Sequence, residues 1–187
     1  QEFKALFERF DAWENARDVM SAAYERSDWT AVIDSAQAAL AILPNDVEQG
    51  SPYVALARAY NSTQKTAQAQ STLQTYFRLG GHDAEALRWL ATRLREQKKY
   101  SEAAQVLEAI NYVAPFNYEV HGELGSTLLT LNRPVDALAE FQVALKLNPP
   151  DRATAYYQLA QAFQAMQRPT EAKKHVLLAL EIAPNFR

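Results

Sequence analysis

One phrase returns along the whole chain at near-constant spacing: Ala39-Leu-Ala-Ile-Leu-Pro44, Ala144-Leu-Lys-Leu-Asn-Pro149 and Ala179-Leu-Glu-Ile-Ala-Pro184. Two degenerate copies stand between them, Tyr76-Phe-Arg-Leu-Gly-Gly81 and Ile110-Asn-Tyr-Val-Ala-Pro115. The phrases end at 44, 81, 115, 149 and 184, in steps of 37, 34, 34 and 35, with small insertions at 45–50 and around Pro149-Pro150. A fixed period of this length restricts a chain to a stack of supersecondary units, because one unit alone cannot bury its apolar face and its neighbours must do so.

Inside each period the apolar residues recur at three- and four-residue intervals in two blocks, which is a helical spacing. Leu56, Ala57 and Tyr60 are followed by Ala69, Leu73 and Tyr76; Leu90, Ala91 and Leu94 by Ala103, Leu107 and Ile110. Leu124, Gly125 and Leu128 precede Ala137, Phe141 and Ala144, and Leu159, Ala160 and Phe163 precede Ala172, Val176 and Ala179. Each period is therefore a pair of helices. Prolines fall at helix ends (44, 115, 149, 184) or at first-turn positions (52, 134, 169), where a missing N–H is tolerated. Asn132-Arg133 and Gln167-Arg168 mark tight turns within a pair.

These residues resemble the tetratricopeptide repeat, a 34-residue helix–turn–helix of pattern W-x2-L-G-x2-Y, A-x3-F-x2-A, P. At those eight places residues 118–149 give His121, Leu124, Gly125, Leu128, Ala137, Phe141, Ala144 and Pro149. Residues 153–184 give Tyr156, Leu159, Ala160, Phe163, Ala172, Val176, Ala179 and Pro184. The resemblance is good at 84 and 50 and loosest at 13, where Ala16, Val19, Met20, Ala23, Val32, Ala36 and Ala39 keep only size and register. It implies an all-α fold, a right-handed α-solenoid of about five repeats starting near 13, 50, 84, 118 and 153. Residues 1–12 form an N-terminal extension of the first helix, and 13–187 the array.

Composition narrows function mainly by exclusion. There are no cysteines, so disulfides, thiol catalysis and cysteine-held metals are ruled out. A net charge of −3 gives no field that attracts nucleic acid. No apolar run approaches the length needed to span a bilayer, and the amphipathic segments have neighbouring repeats to cover them, so no membrane partner is expected. No secretory or transit segment is visible, and the compartment is left open. Both ends read as cut. Phe3, Leu6, Phe7, Phe10 and Trp13 continue a helical stripe upstream of the first repeat, suited to capping it, and no polar capping helix follows Pro184. The segment is expected to belong to a longer protein.

No catalytic, metal or cofactor site is expected. His82 lies in a helix stop followed by an Asp83 N-cap, His121 takes the place of the family's Trp and is expected to pack, and His175 adjoins Lys173-Lys174 on a solvated face. Glu102, Asp136 and Glu171 stand near helix starts, where the helix dipole favours a negative charge. Asn61-Ser62-Thr63 has the form of a glycosylation acceptor but sits where an inter-helix turn is expected.

The family resemblance implies that the first helices of the repeats line a concave surface holding extended partner segments, with the second, fifth, sixth, ninth and twelfth places of each repeat facing it. On that register the groove-facing residues include Arg58; Arg88, Trp89, Thr92 and Arg95; Glu123; and Tyr157 and Gln161. Trp89 and Tyr157 are surplus to core packing. Arg58, Arg88 and Arg95 around Trp89 suit an acidic group beside an apolar anchor, since guanidinium binds carboxylate bidentately. The competing structural reading pairs these arginines with Glu85, Glu96 and Glu123. Gly122 faces the groove, and Gly125 serves close helix approach. The carboxylate clamp of chaperone-tail binders needs a final basic pair, and the three registers supply Glu85 and Trp89, Glu119 and Glu123, or Thr154 and Gln158. Chaperone-tail binding is not expected. The expected function is a scaffold binding a protein or peptide, with two alternatives: a regulatory or substrate-presenting arm of a larger enzyme, and self-association through uncapped ends or the Phe3–Phe10 stripe.

Overall fold

The computed structural model describes residues 2–185, which hold ten helices and no strand. They are α1 (Glu2–Glu25), α2 (Trp29–Ile42), α3 (Pro52–Ser62), α4 (Thr66–Arg78), α5 (Ala84–Glu96), α6 (Tyr100–Val113), α7 (Tyr118–Thr130), α8 (Pro134–Lys146), α9 (Arg152–Ala165) and α10 (Pro169–Ile182). Consecutive helices pack as hairpins, α1 on α2, α3 on α4, α7 on α8 and α9 on α10. The described residues form two compact units, and the division falls between Leu90 and Ala91, inside α5, the first helix of the third repeat.

The periodic apolar residues are the core. In the first unit Leu56, Ala57, Tyr60, Ala69, Leu73 and Tyr76 are buried; in the second, Leu94, Leu107, Ile110, Leu124, Leu128, Phe141 and Leu159 are buried. Each large side chain taken out of water in this way stabilises the fold by about 1.5–3 kcal/mol. The pattern loosens at the two ends of the array, in α1, where Val19 is exposed, and in α10, where Ala172 and Val176 are half-buried. The N-terminal stripe differs from its expected capping role: Phe3, Leu6, Phe7 and Phe10 are all exposed.

Every helix pair closes with the same turn. The residues Ser27, Gln64, Lys98, Asn132 and Gln167 all have φ between 56° and 61°, and they recur in the same steps as the ends of the repeated phrase. At each, the N–H of the left-handed residue reaches the carbonyl three back, as in Lys98 to Arg95, and the following N–H reaches the carbonyl five back, as in Lys99 to Leu94. These two bonds satisfy carbonyls that a helix end otherwise leaves unpaired. None of the five residues is glycine, although the left-handed region disfavours any side chain and Asn least. Lys98→Gly should therefore raise stability by about 0.5–1 kcal/mol, read as a higher urea midpoint, with Asn132→Gly near neutral as the control.

Glycine is used where something approaches closely. A Cβ on Gly81 would lie 2.3 Å from the Tyr76 ring, whose hydroxyl accepts the N–H groups of His82 and Asp83 at 3.1 and 2.9 Å. That explains why the second repeat ends in Gly80-Gly81 where the others end in proline: Gly80 takes φ 91° and Gly81 leaves room for the ring. A Cβ on Gly125 would lie 2.5 Å from Phe141.

The insertion at 45–50 is a fastening and not slack. Asp46 is buried at 4% exposure and accepts from Trp13 Nε1 at 3.2 Å and Arg17 Nη1 at 3.4 Å. Arg17 Nη2 donates to the carbonyls of Gln49 and Gly50, and its guanidinium lies 4.9 Å from the Trp13 ring centre. The Ser51 hydroxyl donates to the Asp46 carbonyl at 2.6 Å and accepts the Tyr53 N–H, capping α3 ahead of Pro52.

Two histidines are held by hydrogen bonds. His121 is buried, but in a polar network: Nε2 donates to the Pro115 carbonyl at 3.0 Å, Nδ1 lies 2.6 Å from Glu140 Oε2, and Asn111 Nδ2 donates to the same oxygen at 3.2 Å. His175 is half-buried instead of solvated, with its ring 4.9 Å from Phe163 and Nδ1 donating to the Glu171 carbonyl at 2.8 Å. The expected Asp83 cap is present, with Oδ1 accepting the Ala86 N–H at 2.8 Å.

Candidate functional site

Helical spacing decides which side chains share a face. On α1 the residues Arg17, Asp18, Ser21 and Tyr24, and around the start and middle of α3 the residues Ser51, Val54, Ala55 and Arg58, are turned to one hollow of about 780 Å³ in the first unit. These are the fifth, sixth, ninth and twelfth places of the first repeat and the second, fifth, sixth and ninth of the second. Glu25, Glu48, His82 and Asp83 stand around the same space, and Tyr76 reaches it from α4. A smaller hollow of about 360 Å³ shares Tyr24, Val54 and Arg58 with the first. Its walls are aromatic and aliphatic: Trp29, Trp89, Ala57 and Leu73 join Tyr24 and Val54, with Glu85 among the lining.

Arg58 stands where the two hollows share residues. Its Nη1 donates to the Tyr24 hydroxyl at 2.9 Å and its Nη2 to Glu85 Oε2 at 2.8 Å. The hydrogen bond to Tyr24 is the main cause of a raised Arg58 pKa, opposed by partial burial and reinforced by Glu85 and Asp83. The guanidinium is thus a fixed cation whose charge is already met. Tyr24 is oriented on its other side by Trp29, edge-on at 5.5 Å between ring centres. Burial raises the Tyr76 pKa, lowered in part by the two N–H groups it accepts and raised again by Asp83 and Glu48, so the hydroxyl stays neutral and hydrogen-bonded.

The second unit has its own hollow of about 470 Å³. Arg95, Glu119, Gly122, Glu123 and Ser126 line it with Thr154 and Gln158, again the groove places of their repeats. Gly122 is buried there, and a Cβ would lie 3.5 Å from the Gln158 amide, an ordinary contact. The Gly122 side of α7 therefore carries no dent beyond what Gln158 fills.

Of the residues expected to form the site, the structure brings Arg58 and Trp89 to one hollow in the first unit, and Arg95 and Glu123 to the hollow of the second. Arg88 and Thr92 do not line these hollows, and Tyr157 and Gln161 are exposed on α9 outside them. Arg58 takes the competing pairing, with Glu85. The sequence reading passed over Trp29 and Asp46. Trp29 opens α2 immediately after a turn, a place where a bulky aromatic has no capping role and so signals a packing one.

No helix among the described residues is long and apolar enough to cross a membrane. No curated protein sequence matches the chain. Among solved structures, the chain is similar to YrrB, described as a TPR protein with an unusual peptide-binding site, at 16% identity and a TM-score of 0.75, over 98% of this chain and 92% of that one. It is also similar to the MamA protein, at 19% identity and a TM-score of 0.68, over 91% of each chain. Tetratricopeptide repeat models match residues 54–118 and 153–186, together more than half of the 187 residues. With ten helices in five turn-closed pairs, solenoid neighbours over nearly its full length and two matching repeat models, the chain belongs to the tetratricopeptide repeat family.

Proposed function

We propose that the protein is a non-catalytic scaffold that holds a peptide or protein segment against the first helices of its repeats. The observation that supports this most directly is the pair of hollows in the first unit, which join a polar, charged space to an aromatic one through Tyr24, Val54 and Arg58. A side chain of an extended segment fits the aromatic hollow, while its neighbours meet the charged lining. YrrB, with its peptide-binding site, is a precedent in a similar fold.

Trp89 is the proposed anchor and Arg58 the residue that positions Tyr24 beside it. A true anchor loses about 2 kcal/mol or more on truncation, roughly a thirtyfold weakening. The test is capture of partners from the native host by the wild-type chain and by a variant carrying Arg88→Ala and Trp89→Ala, both first compared for helicity and melting temperature. Loss of a specific partner from the variant is the expected outcome. Retention of every partner by both forms would move the binding surface away from these first helices.

A further inference from the structure

We infer that the occupant of the first unit's hollows is a basic segment: an extended peptide carrying Lys or Arg beside one large apolar side chain. This rests on the groove reading above and reverses the acidic partner expected from the arginines alone. Both guanidiniums of the larger hollow are already neutralised, Arg17 by Asp46 and Arg58 by Glu85. Four carboxylates remain on its lining, Asp18, Glu25, Glu48 and Asp83. Asp83 is engaged by a backbone N–H, and no cation pairs with the other three among the described residues.

A concave space lined with one excess sign concentrates its field and raises the local population of the opposite charge. An acidic segment entering here would meet that field and would have to break the Arg58–Glu85 pair to find a cation. A basic segment needs no such exchange. The adjoining hollow adds the second requirement. Its Tyr24, Trp29 and Trp89 walls offer rigid apolar area that a simple polycation leaves unused. Charge and shape together therefore favour a peptide over a polyamine, and the same negative field disfavours nucleic acid.

The probes are synthetic ten-residue peptides in which a Lys-Arg pair is placed at varied distances from a single Leu or Trp, with a mirror series carrying Glu-Glu in place of Lys-Arg. Binding to the 187-residue chain is read by fluorescence anisotropy at two salt concentrations. Members of the basic series should bind, weaken with salt, and lose about tenfold or more in affinity for the variant Asp18→Asn, Glu25→Gln, Glu48→Gln. These three side chains are exposed, so the variant should keep its fold. Replacing the peptide's apolar residue by Ser should weaken binding to the wild type and change little for Trp89→Ala. Preference for the Glu series, lost in Trp89→Ala and kept in the neutralised variant, would overturn the basic partner while leaving the groove reading in place. Absence of binding by either series, or binding indifferent to both variants, would overturn the two together.

Discussion

Gly125→Ala should destabilise the protein by about 1–3 kcal/mol, although alanine is the better helix former. The added methyl would sit 2.5 Å from a carbon of the Phe141 ring, which is fully buried and has no free direction in which to retreat. The sequence carries its own control. The repeats that have alanine at this place (57, 91 and 160) have Leu73, Leu107 and Val176 in place of Phe141. A small residue thus accompanies the ring, and a methyl accompanies the smaller partner. Phe141→Leu in the Gly125→Ala background should recover much of the loss, a coupling that a double-mutant cycle in urea would measure. Gly122→Ala, three residues away and facing only the Gln158 amide, should instead be neutral or stabilising by up to about 1 kcal/mol. Equal effects at the two glycines would show that helix propensity, not the ring, decides.

Asp46→Ala should cost about 2–3 kcal/mol, because it removes the carboxylate that Trp13 and Arg17 both address in a buried setting. Asp46→Asn should cost less, since an amide oxygen still accepts from the indole but leaves the guanidinium charge unmet. The loss should be local as well as global. Amide hydrogen exchange ought to quicken first along the Trp13 to Glu25 part of α1, whose attachment to the 45–50 segment runs through Asp46, Gln49 and Gly50. A change in urea midpoint equivalent to less than about 0.5 kcal/mol would show that Arg17 and Trp13 find equal partners in water.

These two cases mark what a reader of the sequence alone can see. Gly125 opposite Phe141 is legible because the two places are periodic: the other repeats put a larger residue at the first and a smaller one at the second, so a missing side chain against a large one stands out. The helix bounds, the prolines at 52, 134 and 169, and the Asp83 cap are legible for the same reason, being local or repeated. Asp46 is neither. Its partners lie 33 and 29 residues away, in a stretch that shows up in the sequence only as three extra residues in one period. The groove register is partly legible: repeat position places Arg17, Tyr24, Val54 and Arg58 on one face, yet it says nothing of which cations are already spent. Arg58, Arg88 and Arg95 taken together suit an acidic ligand, whereas the pairing of Arg17 with Asp46 and of Arg58 with Glu85 underlies the basic one proposed for the first unit's hollows. His121 was visible only as a departure from a tryptophan, and a single departure does not disclose that a carboxylate on α8 waits for it.

The five left-handed turn residues also bear on how such a chain changes length over evolution. Because the turns at 27, 64, 98, 132 and 167 are closed by the same two backbone bonds, the natural interchangeable segment runs from turn to turn, taking the second helix of one repeat with the first helix of the next. A recombination event with both ends at such residues would leave an intact turn behind it whatever lay between. The first helix of each repeat would then travel with the second helix of the repeat before it, so a gain or loss of one segment would alter the length of the proposed binding face without rewriting any of the joints that hold it.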